Sequence, residues 1–411
     1  MLARIKNKYI LNMILTIIPN KKKLNIIKYN KKIKDKLDIT KEDFENYISL
    51  KEFNEKYVLN IKDIDIKELY LKEKTIGNKG LEDLSKINLI NLKNLNLCYN
   101  EITNLDLLAN LNYEYLEQLD LSSNNFSDIK ILNKVNFKNL KILNLSYNNI
   151  ADIKILKKVK FNDLERLYLN HNMIKNINVL DKVNFKKLKI IEIGKNFIKN
   201  IDVLEKVNFQ DLLELNLYSN SIRNIDILKK VNFKKLEQLD FYNNEISDID
   251  ILDKVNFEEL KTLNLSINQI SNINVLKNVN FTKLTHLLLG FNNISNIDIL
   301  KEVNFSKLKF LDLNTNKISD INVLQNVNFK ELIGLNLGEN NISNINVLEY
   351  VNFIKLEELY LYNNEISEID VLIKTNFPKI TILNLINNKI KKEDYITIIN
   401  DLKQRIDDFK I

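Results

Sequence analysis

The stretch LKILNLSYNNI, residues 140 to 150, decides the fold. Leu143 and Leu145 flank the polar Asn144, the alternation of a short strand with one buried face. With Leu140 ahead and Asn148 and Ile150 behind, the stretch reads L-x-x-L-x-L-x-x-N-x-I. Working outward, the same reading starts at Leu92 and returns every 24 residues as far as Ile380, giving thirteen units. A looser copy precedes them in Ile66, Leu69, Leu71 and Ile76, with Lys74 in place of the Asn, as suits the first unit of a stack. Self-similarity at a fixed period of this length means a repeat array, in which each unit buries its apolar side chains only by stacking on its neighbours.

These residues resemble the leucine-rich-repeat superfamily over about Ile66 to Ile390. The tail of each unit, as in Ile129, Leu132, Val135 and Phe137, is similar to the short-repeat subclass of bacterial internalins and of a nuclear regulatory subunit of protein phosphatase 1. Two extra residues in the Val-Asn-Phe segment set the present units apart, so the resemblance implies a fold and no particular partner. That fold is an α/β leucine-rich-repeat solenoid, with a curved parallel sheet on the concave side and short helical turns on the convex side.

Composition agrees with an array. The chain has 411 residues, more than one ordinary domain, yet only six Gly and two Pro punctuate it, too few for several globules joined by linkers. Cys98 is the single cysteine, so no intrachain disulfide forms and a cytoplasmic location is expected, with the nucleus next and secretion third. Residues 1–23, MLARIKNKYILNMILTIIPNKKK, imitate a signal peptide. Asn12 interrupts the apolar stretch, which is too short to span a bilayer, and Lys21, Lys22 and Lys23 stand where a cleavage site needs small residues.

Each recurring position has a physical task. The Asn column, Asn100 to Asn388, is read as turning inward to bond backbone groups of its own bend and of the adjacent unit. The eleven Phe residues from Phe137 to Phe377 are read as a buried spine on the convex side. Three domains are expected: a basic helical cap at 1–60, the solenoid of about fourteen repeats at 61–390, and a capping helix at 391–411, where Ile396, Ile399, Leu402 and Ile406 keep helical spacing. In the first cap Thr40 and Asp43 make a start like a capping box. Through Lys36 that cap carries eleven basic residues against the one acid Asp35. Its segment ILNMILTIIPNKKKLNIIKYNKKIKDKL is similar to an F-box, which implies docking to a ubiquitin-ligase scaffold.

Function is expected on the concave face, where side chains between and just after the strand leucines point away from the core. There the acids Glu68, Glu73, Asp120, Glu192, Glu214, Asp240, Asp312, Glu339 and Glu358 outnumber the bases Lys72, Arg166 and Lys195. An acidic lining suits a protein with a basic surface and repels a nucleic-acid backbone. The residues expected to carry the contact are Tyr168, His171, Glu192, Glu214, Tyr218, Asp240, Tyr242, Phe291, Phe310, Asp312, Tyr360 and Tyr362, since aromatic residues dominate binding hot spots. Leu288 is a further anchor.

Catalysis is not expected. His171 and His286, the only histidines, lie about five repeats apart, roughly 24 Å at the spacing of stacked strands. No phosphate-cradling Gly loop or metal-ligand spacing is present in the sequence. The reading is therefore a monomeric, non-catalytic protein-interaction scaffold with no cofactor, no small-molecule substrate and no membrane contact. A ubiquitin-ligase adaptor is the second reading, and a secreted adhesin or effector the third.

Overall fold

The computed structural model describes residue 32, residues 41–61 and residues 65–411. These residues form two compact units: those up to 144 with 158–161, and 145–157 with 162–411. The F-box-like segment and the imitation signal peptide fall outside the described residues, apart from Lys32.

In the first unit, helix α1 (Lys41–Tyr57) precedes strand β1 (Glu68–Tyr70), helix α2 (Gly77–Leu84) and strands β2 (Asn94–Asn96), β3 (Gln118–Asp120) and β4 (Ile142–Asn144). The four strands pair in parallel and in chain order, each residue opposite the one 24 or 26 positions on. α1 buries Leu50 and Phe53. It is tied down by Asn46, whose side chain both donates to the Asn88 carbonyl (3.0 Å) and accepts from the Asn88 N–H (2.7 Å). Lys56 and Tyr57 at its end share the Asp83 carboxylate at 2.5 and 3.0 Å. Through these contacts the helix packs on the first repeat.

The second unit continues the pattern with β5 (Arg166–Tyr168), β6 (Ile190–Glu192), β7 (Glu214–Asn216), β8 (Gln238–Asp240), β9 (Thr262–Asn264), β10 (His286–Leu288) and β11 (Phe310–Asp312). β12 (Gly334–Asn336), β13 (Glu358–Tyr360), β14 (Ile382–Asn384), helix α3 (Ile396–Arg405) and β15 (Asp408–Lys410) follow. Strands β5 to β15 again pair in parallel and in order. Each strand is three residues long, and in β7 the middle residue is the one buried in the core. Single 3-10 turns, such as Asp226–Lys230, return the chain to the next strand. The chain end departs from expectation. Residues 391–411 form more than a helix, because the segment after α3 extends again and pairs Phe409 with Leu383, covering the edge of β14.

Buried amides hold the bend. Asn172 donates to the carbonyls of Leu145 (3.0 Å), Leu169 (3.1 Å) and Asn170 (3.2 Å), while its oxygen accepts the Ile150 N–H (3.0 Å). The same set recurs at Asn196, Asn244, Asn268, Asn292, Asn316, Asn340 and Asn364. Just before each of these asparagines the backbone turns through the left-handed region, at Ile267 (φ 53°), Thr315 (φ 51°) and Phe291 (φ 54°) among others. No glycine occupies that turn in any unit, and β-branched residues there are strained. Asp and Asn side chains also start the 3-10 turns, as where Asn224 accepts the Asp226 N–H at 2.7 Å.

The Phe spine is as expected: all eleven rings are buried, Phe377 being the most exposed at 7%. Tyr113, one repeat ahead of Phe137, extends the spine with its ring fully buried.

Candidate functional site

The sheet face of the second unit presents three columns of side chains, set by the strand alternation and the turn that follows. Register places Tyr168, Glu192, Asn216 and Asp240 side by side on β5 to β8. A second column runs through Arg166, Ile190, Glu214 and Gln238. The third, just past the strands, holds Gly194, Tyr218 and Tyr242, and one residue further on lie Tyr147, His171 and Lys195.

These residues form a carboxylate group and an aromatic group. Burial raises the Glu214 carboxyl above the ordinary range, and the charges of Glu192 and Asp240 push it the same way. Asp240 is also raised, chiefly by burial, although one of its oxygens accepts the Tyr242 N–H at 2.7 Å. Glu192 accepts from the Asn170 amide at 2.5 Å, and Asn170 in turn accepts the Gly194 N–H at 2.7 Å. Alongside, the rings of Tyr147 and His171 stack with centroids 3.8 Å apart, and Tyr218 meets His171 edge-on at 6.1 Å. Burial pushes the Tyr218 phenol up to about 12, so it stays a neutral donor at physiological pH. Burial and the Lys195 charge lower His171, keeping its ring neutral at pH 7.

Glycine explains how the rings lie. A Cβ at Gly194 would sit 2.0 Å from the Tyr218 ring, and one at Gly338 would sit 2.4 Å from the Tyr362 ring. Phe310 lies over Gly334 in the same way, at 2.7 Å, and stacks on His286 with centroids 4.9 Å apart. Three of the chain's six glycines thus make room for an aromatic side chain of a neighbouring repeat on the sheet face. Rings laid flat on a glycine have fixed positions and lose little freedom when a partner covers them.

The remaining expected residues are placed more locally. Tyr360 donates its hydroxyl to Glu358 at 3.2 Å. Asp312 uses one oxygen to accept from the Asn314 N–H (3.0 Å) and side chain (2.6 Å), so part of that carboxylate serves the strand end. The same turn is made by Asn216 and Asn264, and the column between the strand leucines is half-buried rather than fully presented. Tyr242 and Phe291 are 37% and 49% exposed.

Lysines of the turns before the strands pair instead with acids one repeat away: Lys235 with Asp211 (2.6 Å), Lys261 with Glu237 (2.7 Å), Lys355 with Glu331 (2.6 Å). Their charge is spent along the flank, away from the face. Among the described residues no group of three His, Cys, Asp or Glu is arranged to hold a metal ion. No helix among them is long and apolar enough to cross a membrane.

One residue of this site escaped the reading of the sequence. Gly194 stands one repeat before Tyr218, and its rarity in this chain was the available signal.

Residues 138–182, 234–278 and 282–326 each match the family Leucine Rich repeats (2 copies). No curated protein matches the chain significantly. Among solved structures, an internalin (inlF) from Listeria monocytogenes is 28% identical. The likeness covers 82% of this chain and 93% of the internalin, with a TM-score of 0.66. A leucine-rich-repeat protein of Leptospira interrogans gives the same TM-score at 21% identity, covering 89% of this chain and 98% of that one. The ectodomain of the plant receptor kinase GASSHO1/SCHENGEN3 from Arabidopsis thaliana, solved in complex with Casparian strip integrity factor 2, is 23% identical. There the likeness covers 74% of this chain and 39% of the receptor, with a TM-score of 0.55. The chain is a leucine-rich-repeat protein. Such folds generally mediate protein–protein interaction and are typically non-catalytic.

Proposed function

We propose that the second unit binds a protein partner with a basic surface across its sheet face, centred on β5 to β8, and that the chain is a scaffold without catalytic activity. One observation carries this reading. Glu214 and Asp240 gather beside Glu192, where burial and like charge resist the ionisation of the first two, with Arg166 the only cation acting on Glu214. Carboxylates that cost the free protein stability are explained if a partner's cations neutralise them. The preformed stack of Tyr147, His171 and Tyr218 beside them supplies apolar area at low entropic cost. The plant receptor solved with its factor is a case of this fold holding another protein molecule, and lends the reading general support.

A monomer in the cytoplasm is proposed with it, supported by the lone Cys98, which is buried and whose thiol is pushed up by burial. The test is quantitative proximity labelling in the native cell. The intact chain is compared with a Glu192→Gln, Glu214→Gln, Asp240→Asn variant and with a Tyr218→Ala, Tyr242→Ala, Phe291→Ala variant. Loss of the same basic neighbours in both supports the reading. Neighbours that persist in both overturn it.

A further inference from the structure

Two large apolar side chains stand exposed side by side at one edge of the second unit: Met173 (49%) and Phe197 (54%). Met173 and Phe197 occupy the same place in successive repeats, directly after the buried Asn172 and Asn196. Their backbones are fixed, because Met173 N–H donates to the Ile150 carbonyl (2.8 Å) and Phe197 N–H to that of Ile174 (2.9 Å). Neighbouring strands set the two about 5 Å apart. In later repeats this place carries Ser221, Glu245, Gln269, Asn293 and Lys317, so the solvent-facing position is ordinarily polar.

Charge around the pair is one-sided. Lys175 and Lys199 follow two residues after Met173 and Phe197, and Lys195 lies on the same turn as Phe197, all three exposed. Among the described residues none of the three makes a direct ion pair; Glu245, on which Lys199 acts at longer range, is held by Arg223 at 2.6 Å. The patch is therefore apolar at its centre and positive at its rim, opposite in sign to the carboxylates of the sheet face.

We propose that this edge is a second docking surface, one that takes an acidic segment of a partner protein carrying a large apolar side chain between its carboxylates. The apolar group is covered by Met173 and Phe197, and the flanking carboxylates meet Lys175, Lys195 and Lys199. Exposed apolar patches with charged rims mark interaction sites, and the flexible thioether of Met173 adapts to different side chains. A partner bearing both signs would bridge the face and this edge, and so bind in one orientation along the strands. This surface does not depend on the acidic face being a binding site.

The test is selection of short random peptides displayed on phage against the immobilised full-length chain. The selected peptides are then titrated by fluorescence anisotropy. Expected are peptides with Phe, Trp or Leu between Asp and Glu residues. Their affinity falls at least about tenfold for Met173→Ser with Phe197→Ser, and likewise for Lys175→Glu with Lys199→Glu. It is unchanged for Glu192→Gln with Glu214→Gln, which separates this edge from the proposed face. Both apolar residues are exposed, so the Ser variants keep the fold, as circular dichroism checks. No enrichment of acidic peptides, or enriched peptides indifferent to the Met173 and Phe197 changes, overturns the proposal. Phosphatidylserine–phosphatidylcholine vesicles that bind the chain and lose it on the same changes, with no acidic peptides selected, assign the edge to membranes and overturn it too.

Discussion

Replacing Asn292 by Ala tests how the array is held together. Asn292 donates to the carbonyls of Leu265, Leu289 and Gly290 at 3.0, 3.1 and 3.2 Å, and accepts the Ile270 N–H at 3.0 Å. The carbonyls survive its loss, for Leu265 keeps Asn268, Leu289 keeps Asn316, and Gly290 keeps the Ile267 N–H at 2.9 Å. The Ile270 N–H has no second acceptor and is left buried and unsatisfied. That orphan costs about 1–3 kcal/mol, and the lost bonds add about 1, so destabilisation of about 2–4 kcal/mol is expected. Since a repeat array opens locally, amide hydrogen exchange is the assay of choice, backed by urea unfolding. The Ile270 amide should lose protection strongly, and a control change at the neighbouring exposed Asn293 should leave it protected. An Ile270 amide that stays protected in Asn292→Ala, with stability shifted by less than about 0.5 kcal/mol, refutes the reasoning.

Relief of the left-handed strain at Ile267 should stabilise the chain: Ile267→Asn is expected to gain about 1 kcal/mol in urea unfolding, since Asn tolerates that region. Neutralising Asp240 or Glu214 should have opposite effects on folding and binding. Their folded carboxyls titrate above the unfolded value, so the stability they contribute is complete below that value and disappears as pH rises through the folded one. Asp240→Asn and Glu214→Gln should therefore raise the melting temperature at pH 7 while weakening a basic partner, and wild-type binding should weaken as pH falls through the raised carboxyl range. Glu117 behaves in the contrary sense. Its hydrogen bonds to Lys141 and Lys93 lower its carboxyl, so it stabilises above the unfolded value and loses that stabilisation as pH falls through the folded one. Glu117→Gln should accordingly flatten the acid limb of a stability–pH curve.

Much of this architecture was legible in the residues. The period of 24 gave the strands, and the inward Asn and the Phe spine followed because a buried amide must be bonded and an apolar column must be covered. Less legible was anything that depends on which side chain leans on which. Asp312 and Asp240 read as free carboxylates, yet each bonds a backbone N–H two residues on, a local turn that alternation does not reveal. The stack of Tyr147 on His171 needs two repeats to be seen at once, and Tyr218 lies flat only because Gly194 has no Cβ. Phe409 joins the sheet because the edge of β14 has unpaired backbone groups to offer, whereas the helical spacing before it suggested a cap and nothing more.

The most direct test of the central claim is site-specific photocrosslinking in the native cell. A photoreactive phenylalanine analogue replaces Tyr242 or Phe291 on the sheet face, or the exposed Lys206 beside the 3-10 turns of the opposite side. The proposed binding mode predicts one protein captured from both face positions and not from Lys206. Capture from Lys206 with silence at Tyr242 and Phe291 contradicts it.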